Sequence, residues 1–220
     1  MSCCLALLLP AAWAIHWPGF GHGEYGVGEV LPLRVAKLTS IHTQLPLSFY
    51  SLAQCTPQTL TASPENLGEV LHGDRILNAP FELRLRQPRF RALCRLSLNA
   101  QERAGWIARI GAEYRAHLLL DNLPVATRLP PRRAGGTRLD RGPEGPLYER
   151  GYRLGATDES GGVVVHNHLH FTVKYHITTP GPASGGMDEA PGGVPGGGGA
   201  RIVGFEVVPS SRAYRYVCVH

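Results

Sequence analysis

The chain has 220 residues, of which 43% are hydrophobic and 18% charged. This composition is ordinary for a globular protein, and the length suits one β-rich domain or two small ones. The net charge of +5 is mild and scattered along the chain, so charge alone does not indicate a nucleic-acid-binding protein. Gly (27) and Pro (18) make up about a fifth of the residues and concentrate in one late segment, which favours an insertion over general disorder.

Residues 1–14 have the pattern of a secretory signal peptide. An apolar core is followed by Ala12, Trp13 and Ala14, which fit an A-x-A cleavage site before Ile15. The start of the segment lacks Lys and Arg, so a buried N-terminal strand or helix is the alternative. The run is too short to span a bilayer. We expect cleavage between Ala14 and Ile15 and entry into the secretory pathway.

The cysteine spacing predicts one disulfide. The five cysteines form no C-x-x-C pair, which argues against a zinc ribbon or a thioredoxin motif. Cys3 and Cys4 lie in the predicted leader, so Cys55 and Cys94 are the expected pair and Cys218 is left over. The alternative is two buried free thiols at positions 55 and 94.

The first half of the chain after the leader predicts mostly strands. Residues 30–35 form the first, and a second lies within 41–52. Residues 64–73 favour a short helical turn closed by glycine. The segment 81–86 alternates apolar and charged residues, which is typical of a half-buried strand, and 89–98 is expected to pair with it.

One α-helix is predicted over residues 100–114. Asn99 is a good N-cap residue, and Glu102 follows three positions later, as in a capping box. An apolar stripe is formed by Trp106, Ile107 and Ile110.

The second half of the chain predicts further strands separated by two inserts. Residues 116–125 form a buried strand, and 128–145 a solvated basic loop that lacks the aromatic side chains expected of a nucleic-acid patch. The segment 163–176 is the most strongly patterned strand, and 201–209 is expected to pair with it as a hairpin. The Gly/Pro-rich residues 180–200 form a flexible insert in that hairpin.

The histidine-rich strand offers a weak candidate metal site at His166, His168 and His170. Imidazole is a common zinc ligand, but side chains two apart on a strand lie about 7 Å from each other. A polar sheet face is therefore the favoured interpretation, with no metal and no cofactor. Because histidine titrates in the mildly acidic range, a pH response through His168 and His176 is a further hypothesis.

No catalytic residues are expected. Neither Ser40 nor Ser51 stands in a G-x-S-x-G nucleophile elbow, and Asp74 has the context of an Asx-type turn. A zinc-dependent enzyme would rest on the histidines alone. The sequence therefore predicts a protein that binds and does not catalyse.

Five blocks of sequence carry a family resemblance: KLTSIHTQLPLSFYSLAQC (37–55), ENLGEVLHGDRILNAPF (65–81), LLLDNLPVA (118–126), NHLHFTVKYH (167–176) and RIVGFEVVP (201–209). In this order they resemble the N-terminal luminal domain of the transmembrane 9 superfamily (the nonaspanin or EMP70 family). The resemblance covers residues 15–209.

This resemblance implies a signal peptide and a β-rich luminal domain, followed in the family by nine transmembrane helices. It implies Golgi and endosomal membranes as the location. The implied role is sorting and delivery of membrane proteins, with cargo membrane proteins and the family's transmembrane region as partners, and no enzymatic activity. The printed sequence departs from the family in lacking the nine helices, in the inserts 128–145 and 180–200, and in the divergent tail 210–220. A fragment, a truncated gene model and a soluble form all remain open.

The sequence thus predicts a mainly β, antiparallel β-sandwich-like luminal domain with one helix near 100–114, acting in protein sorting. The alternative function is a secreted ligand- or carbohydrate-binding β-sandwich. Its stacking platform would be formed by Trp17, Phe20 and Tyr25.

Overall fold

The computed structural model describes residues 23–63, 75–129, 147–178 and 199–212. Several predictions fall outside the described residues: the leader with its Ala14–Ile15 cleavage site, the turn at 64–73, most of both inserts, the tail from 213 on, Trp17, Phe20, Asp74 and Cys218.

Within those ranges the chain forms one helix and many short strands. The helix α1 is Ala100–Gly111. The strands are β1 (Glu24–Tyr25), β2 (Val30–Leu31), β3 (Leu33–Thr39), β4 (Leu47–Ser48), β5 (Leu77–Asn78), β6 (Leu83–Arg84), β7 (Arg115–Leu120), β8 (Leu123–Pro124), β9 (Ala126–Arg128), β10 (Tyr148–Arg150), β11 (Tyr152–Arg153), β12 (Gly155–Thr157), β13 (Val163–Val165), β14 (His168–Ile177) and β15 (Ala200–Ser210).

Two sheets carry the fold. In the β3/β7 sheet, β3 pairs antiparallel with β7 and also with β4 and β5, while β7 pairs with β8 and β11. In the β14/β15 sheet, β14 and β15 form a long antiparallel hairpin, and β15 also pairs with β1 and β9, the last of which pairs with β10. The single β15–β9 pairing is parallel. Two ribbons, β2–β6 and β12–β13, complete the described strands.

The core lies between these sheets because their strands alternate buried and exposed side chains. On β7, Ala116, Leu118 and Leu120 are fully buried and the residues between them are not. On β15, Ile202, Phe205 and Val207 are buried. These residues belong to one hydrophobic cluster. The predicted mainly β, antiparallel architecture is confirmed.

The helix begins as predicted. The Asn99 side chain accepts the Glu102 backbone N–H at 2.9 Å, and the Glu102 carboxylate accepts the Asn99 N–H at 2.9 Å. The helix ends at Gly111, three residues before the predicted end, because Glu113 adopts a φ of 53°. The apolar stripe is narrower than predicted: Ile110 is buried, but Ile107 is 47% exposed.

The predicted strand 163–176 is two strands. Residues up to Val165 pair with β12, and β14 starts only at His168. Between them the Asn167 side chain donates to the Arg212 carbonyl at 2.8 Å and accepts the Arg212 N–H at 2.9 Å. This side chain replaces a ladder partner and separates the two strands. The predicted hairpin with the closing strand is confirmed.

The prediction that 89–98 forms a strand is wrong. Arg86 has a φ of 58° and Pro88 cannot donate to a ladder, so the chain turns after β6, which pairs with β2 instead. The second predicted strand, within 41–52, shrinks to β4 followed by a 3₁₀ turn at Phe49–Ser51. The first, 30–35, is divided at Pro32 into β2 and β3.

Candidate binding surface

The three candidate metal ligands do not share a strand face. His166 precedes β14, and its Nδ1 lies 2.8 Å from the Arg153 carbonyl oxygen. His168 stacks on Phe90, with ring centroids 5.9 Å apart. His170 is exposed on the outer face of β14. Among the described residues, no group of three or more His, Cys, Asp or Glu side chains is placed to hold a metal ion.

Cys55 and Cys94 form a disulfide with their Cα atoms 5.8 Å apart, which supports the predicted pairing. Cys55 follows the 3₁₀ turn at the edge of the β3/β7 sheet. Cys94 lies in the middle of a segment without regular structure. The bond therefore ties an irregular segment covalently to the sandwich.

That segment, residues 86–98, is the basic strap. Every residue from Arg86 to Ser97 is exposed. The strap holds four arginines and no acidic residue: Arg86, Arg89, Arg91 and Arg95. Phe90, Leu93 and Leu96 are 71%, 38% and 49% exposed. Sequence analysis missed this surface because the alternation of apolar and basic residues matched a strand; Pro88 was the signal against it.

A cleft of about 260 Å³ lies where the basic strap meets the sandwich. Its walls come from three segments of the chain: residues 55–57, 79–82 and 91–94. At its rim the Glu82 carboxylate pairs with Arg84 Nε at 2.7 Å, and Arg91 Nη1 is 3.9 Å from the same carboxylate. The lining of the cleft therefore combines apolar side chains with the polar side chains of Thr56, Glu82 and Arg91.

Ring contacts connect the strap and its approach to the β14/β15 sheet. Phe81 packs edge-on against Phe171 at 5.2 Å, and Phe171 stacks on the buried Phe205 at 5.6 Å. The Arg86 guanidinium lies over the Tyr175 ring at 5.9 Å. With the Phe90–His168 stack, these contacts hold the Arg86–Phe90 part of the strap along β14.

The outer face of the β14/β15 sheet carries charged groups. Lys174 donates to the Glu206 carboxylate across the hairpin and lies over the Tyr148 ring at 5.7 Å. The hydrogen bond from Lys174 holds the pKa of Glu206 below its ordinary value. Desolvation, followed by the charges of Arg212 and His170, lowers the pKa of His168. This face is a polar surface.

Tyr25 is the only described residue of the aromatic platform that a carbohydrate-binding domain would need, and it is not available to a ligand. Tyr25 is 8% exposed and belongs to the core. Burial, together with the nearby Asp121 carboxylate, raises the pKa of its hydroxyl. Its ring cannot stack on a ligand in solution, so the structure gives no support to a carbohydrate site there.

The two serines considered as nucleophiles lie in different settings. The Ser40 hydroxyl donates to the Ala112 carbonyl at the end of α1. Ser51 is exposed in the 3₁₀ turn.

No helix in the described part of the chain is long and apolar enough to cross a membrane.

Comparison with known proteins identifies relatives of the whole chain. The sequence profile of the family described as Endomembrane protein 70 matches residues 46–219. The chain is 37% identical to the protein named Transmembrane 9 superfamily member 8 of Arabidopsis thaliana, over 98% of the chain and 31% of that protein. It is 35% identical to Transmembrane 9 superfamily member 4 of Homo sapiens, over 96% of the chain and 32% of that protein. The chain thus spans about a third of the length of these relatives. No solved structure matches it.

Proposed function

Because the chain belongs to the Endomembrane protein 70 family, within the transmembrane 9 superfamily, we propose that it is the luminal recognition domain of a protein that sorts membrane proteins. In this role the domain lies on the luminal side of Golgi and endosomal membranes and contacts cargo membrane proteins. It binds and does no chemistry. The family's transmembrane region carries it in the membrane.

The observation that carries this proposal is the exposed binding surface on a rigid sandwich. The basic strap is held to the core by the Cys55–Cys94 disulfide and by ring contacts, yet its arginines and three apolar side chains face solvent. Exposed apolar side chains on a fixed backbone are typical of a surface that contacts another protein. A disulfide is also consistent with a luminal compartment, since disulfides persist in oxidising environments.

The experiment replaces the matching region of the human Transmembrane 9 superfamily member 4 with this chain. Cells expressing the chimaera, or the same membrane part without any luminal domain, are crosslinked, and co-isolated membrane proteins are quantified. We expect a defined set of membrane proteins to be enriched only with the domain present, and the tagged chimaera to lie in Golgi and endosomal membranes. An identical set with and without the domain would refute the proposal.

A further inference from the structure

We propose that the basic strap and the cleft beside it form a docking site for an extended acidic peptide that inserts one apolar side chain into the cleft. This inference rests on the proposed function, because it assigns the kind of protein segment that the recognition domain would bind. Its contacts come from residues 55–57, 79–82 and 86–98, which lie together only in the folded protein.

The charge of the strap selects an acidic partner. Four arginines occur within ten residues, and none of the residues from 86 to 98 is acidic. The nearby Glu82 is already bound by Arg84 at 2.7 Å, so its 3.9 Å contact with Arg91 is a weak one. Arg91 retains a side-chain exposure of 71%, which leaves its guanidinium accessible to a carboxylate from a partner.

The size of the cleft selects a single side chain. A volume of about 260 Å³ is below the ~300–1,000 Å³ range of small-molecule pockets, but it has room for one large apolar side chain. Pro57, Pro80, Phe81 and Leu93 supply apolar walls. A concave site of this kind favours a peptide anchor over a bilayer, because a membrane surface would meet only the outermost side chains.

The rigidity of the strap makes the site specific. Cys94 lines the cleft and is bonded to Cys55, which also lines it. Phe90 stacks on His168, and Arg86 lies over Tyr175, so two contacts with β14 hold the part of the strap that precedes Cys94. Because the backbone is fixed before binding, little ordering entropy is lost when a peptide docks.

The test measures binding of the full chain, with its disulfide intact, to synthetic peptides about ten residues long, which is enough to run along the strap at ~3.3 Å per residue. One peptide is rich in Asp and Glu with a central Leu. A second has Ser in place of the Leu, and a third has Lys in place of the acids. Fluorescence anisotropy at low and high salt gives the affinities. We expect binding of the first, weaker binding of the second, no binding of the third, and loss of affinity with salt.

Two variants test whether the peptide binds at the strap and the cleft. Arg89→Glu with Arg91→Glu should weaken binding of the first peptide about tenfold or more, since two exposed ion pairs are lost and repulsion is gained. Leu93→Ser should remove the difference between the Leu and Ser peptides. The control is Arg150→Glu, an exposed residue on β10 and away from the strap, which should leave the affinity unchanged. Circular dichroism and the melting temperature verify that each variant is folded.

Equal binding by the wild type and the Arg89→Glu, Arg91→Glu variant would overturn the inference. So would sedimentation of the chain with phosphatidylserine vesicles in the absence of peptide binding, which would make the strap a membrane contact. If no peptide binds but the chimaera still enriches membrane proteins, this site is wrong and the proposed function stands. If the peptide binds and the chimaera enriches nothing, the site stands and the sorting function is wrong.

Discussion

The sandwich core and the basic strap lie side by side but are held by different forces. In the core, strand pairing and burial act together: Leu118 and Leu120 are fully buried on β7, and Phe205 is 3% exposed on β15. In the strap, Phe90 is 71% exposed and no regular backbone ladder is present. One disulfide and a few ring contacts replace burial there. Apolar side chains thus stabilise the fold in one region and remain available to a partner in the other.

The largest expected effect compares one substitution in both regions. Phe205→Ala should lower the free energy of unfolding by about 3–5 kcal/mol, because it leaves a cavity beside Phe171. Phe90→Ala, the matched control in the strap, should change it by less than about 1 kcal/mol. Urea denaturation of both variants gives the values. Similar losses at the two positions would contradict the distinction between core and strap.

The second effect tests the covalent tether. Replacing Cys55 and Cys94 by Ser should destabilise the domain by about 2–4 kcal/mol, since a loop with a sequence separation of 39 is no longer closed in the unfolded state. Trypsin under native conditions should then cut at Arg89, Arg91 or Arg95 faster than in the wild type.

The control for the tether is cleavage after Arg115, which lies in β7. We expect that bond to remain protected in the double variant. Cleavage in the strap and in β7 at the same accelerated rate would show that the disulfide stabilises the whole domain and not the strap in particular.

A smaller effect concerns the junction between strap and helix. Asn99→Ala removes the capping box and should cost about 1 kcal/mol of unfolding free energy. Gln101→Ala, at an exposed position of α1, is the control and should be near neutral. Thermal unfolding monitored by circular dichroism measures both; equal melting temperatures for the Asn99 variant and the wild type would contradict the capping role.

The smallest effect is a pH dependence at the contact between strap and sheet. The pKa of His168 is lowered by desolvation and by Arg212 and His170, so the unfolded chain binds the proton more readily. The stability gained from neutral His168 is therefore present above the unfolded pKa, near 6.5, and is lost as the pH falls through the lower folded value.

His168→Gln should flatten the fall in stability between about pH 7 and pH 5, since Gln does not titrate. Thr172→Val, on the same face of β14, is the control and should keep the wild-type slope. Urea midpoints measured across this pH range provide the comparison, and an unchanged slope in the Gln variant would remove His168 as the source.

Local signals in the sequence predicted much of the β14/β15 hairpin and the start of α1. The period of two in β14 and the Asn99–Glu102 pair depend on residues close together in the chain, so pattern alone located them. The same kind of pattern gave a wrong prediction for the strap. The apolar and basic residues of the strap alternate as in a strand. However, the chain turns at Arg86, which has a positive φ, and the strap does not pair with β6.

The sequence by itself determined the family, the mainly β class and the helix cap, because each depends on residue identity and spacing, and it predicted Cys55 and Cys94 as disulfide partners. Only the tertiary structure decided which apolar residues are covered. Tyr25, on the short strand β1, is buried and Phe90, on the strap, is exposed, although both are aromatic residues. That difference depends on contacts with distant segments, such as Asp121 beside Tyr25 and the Cys55 bond that holds Phe90's segment on the surface.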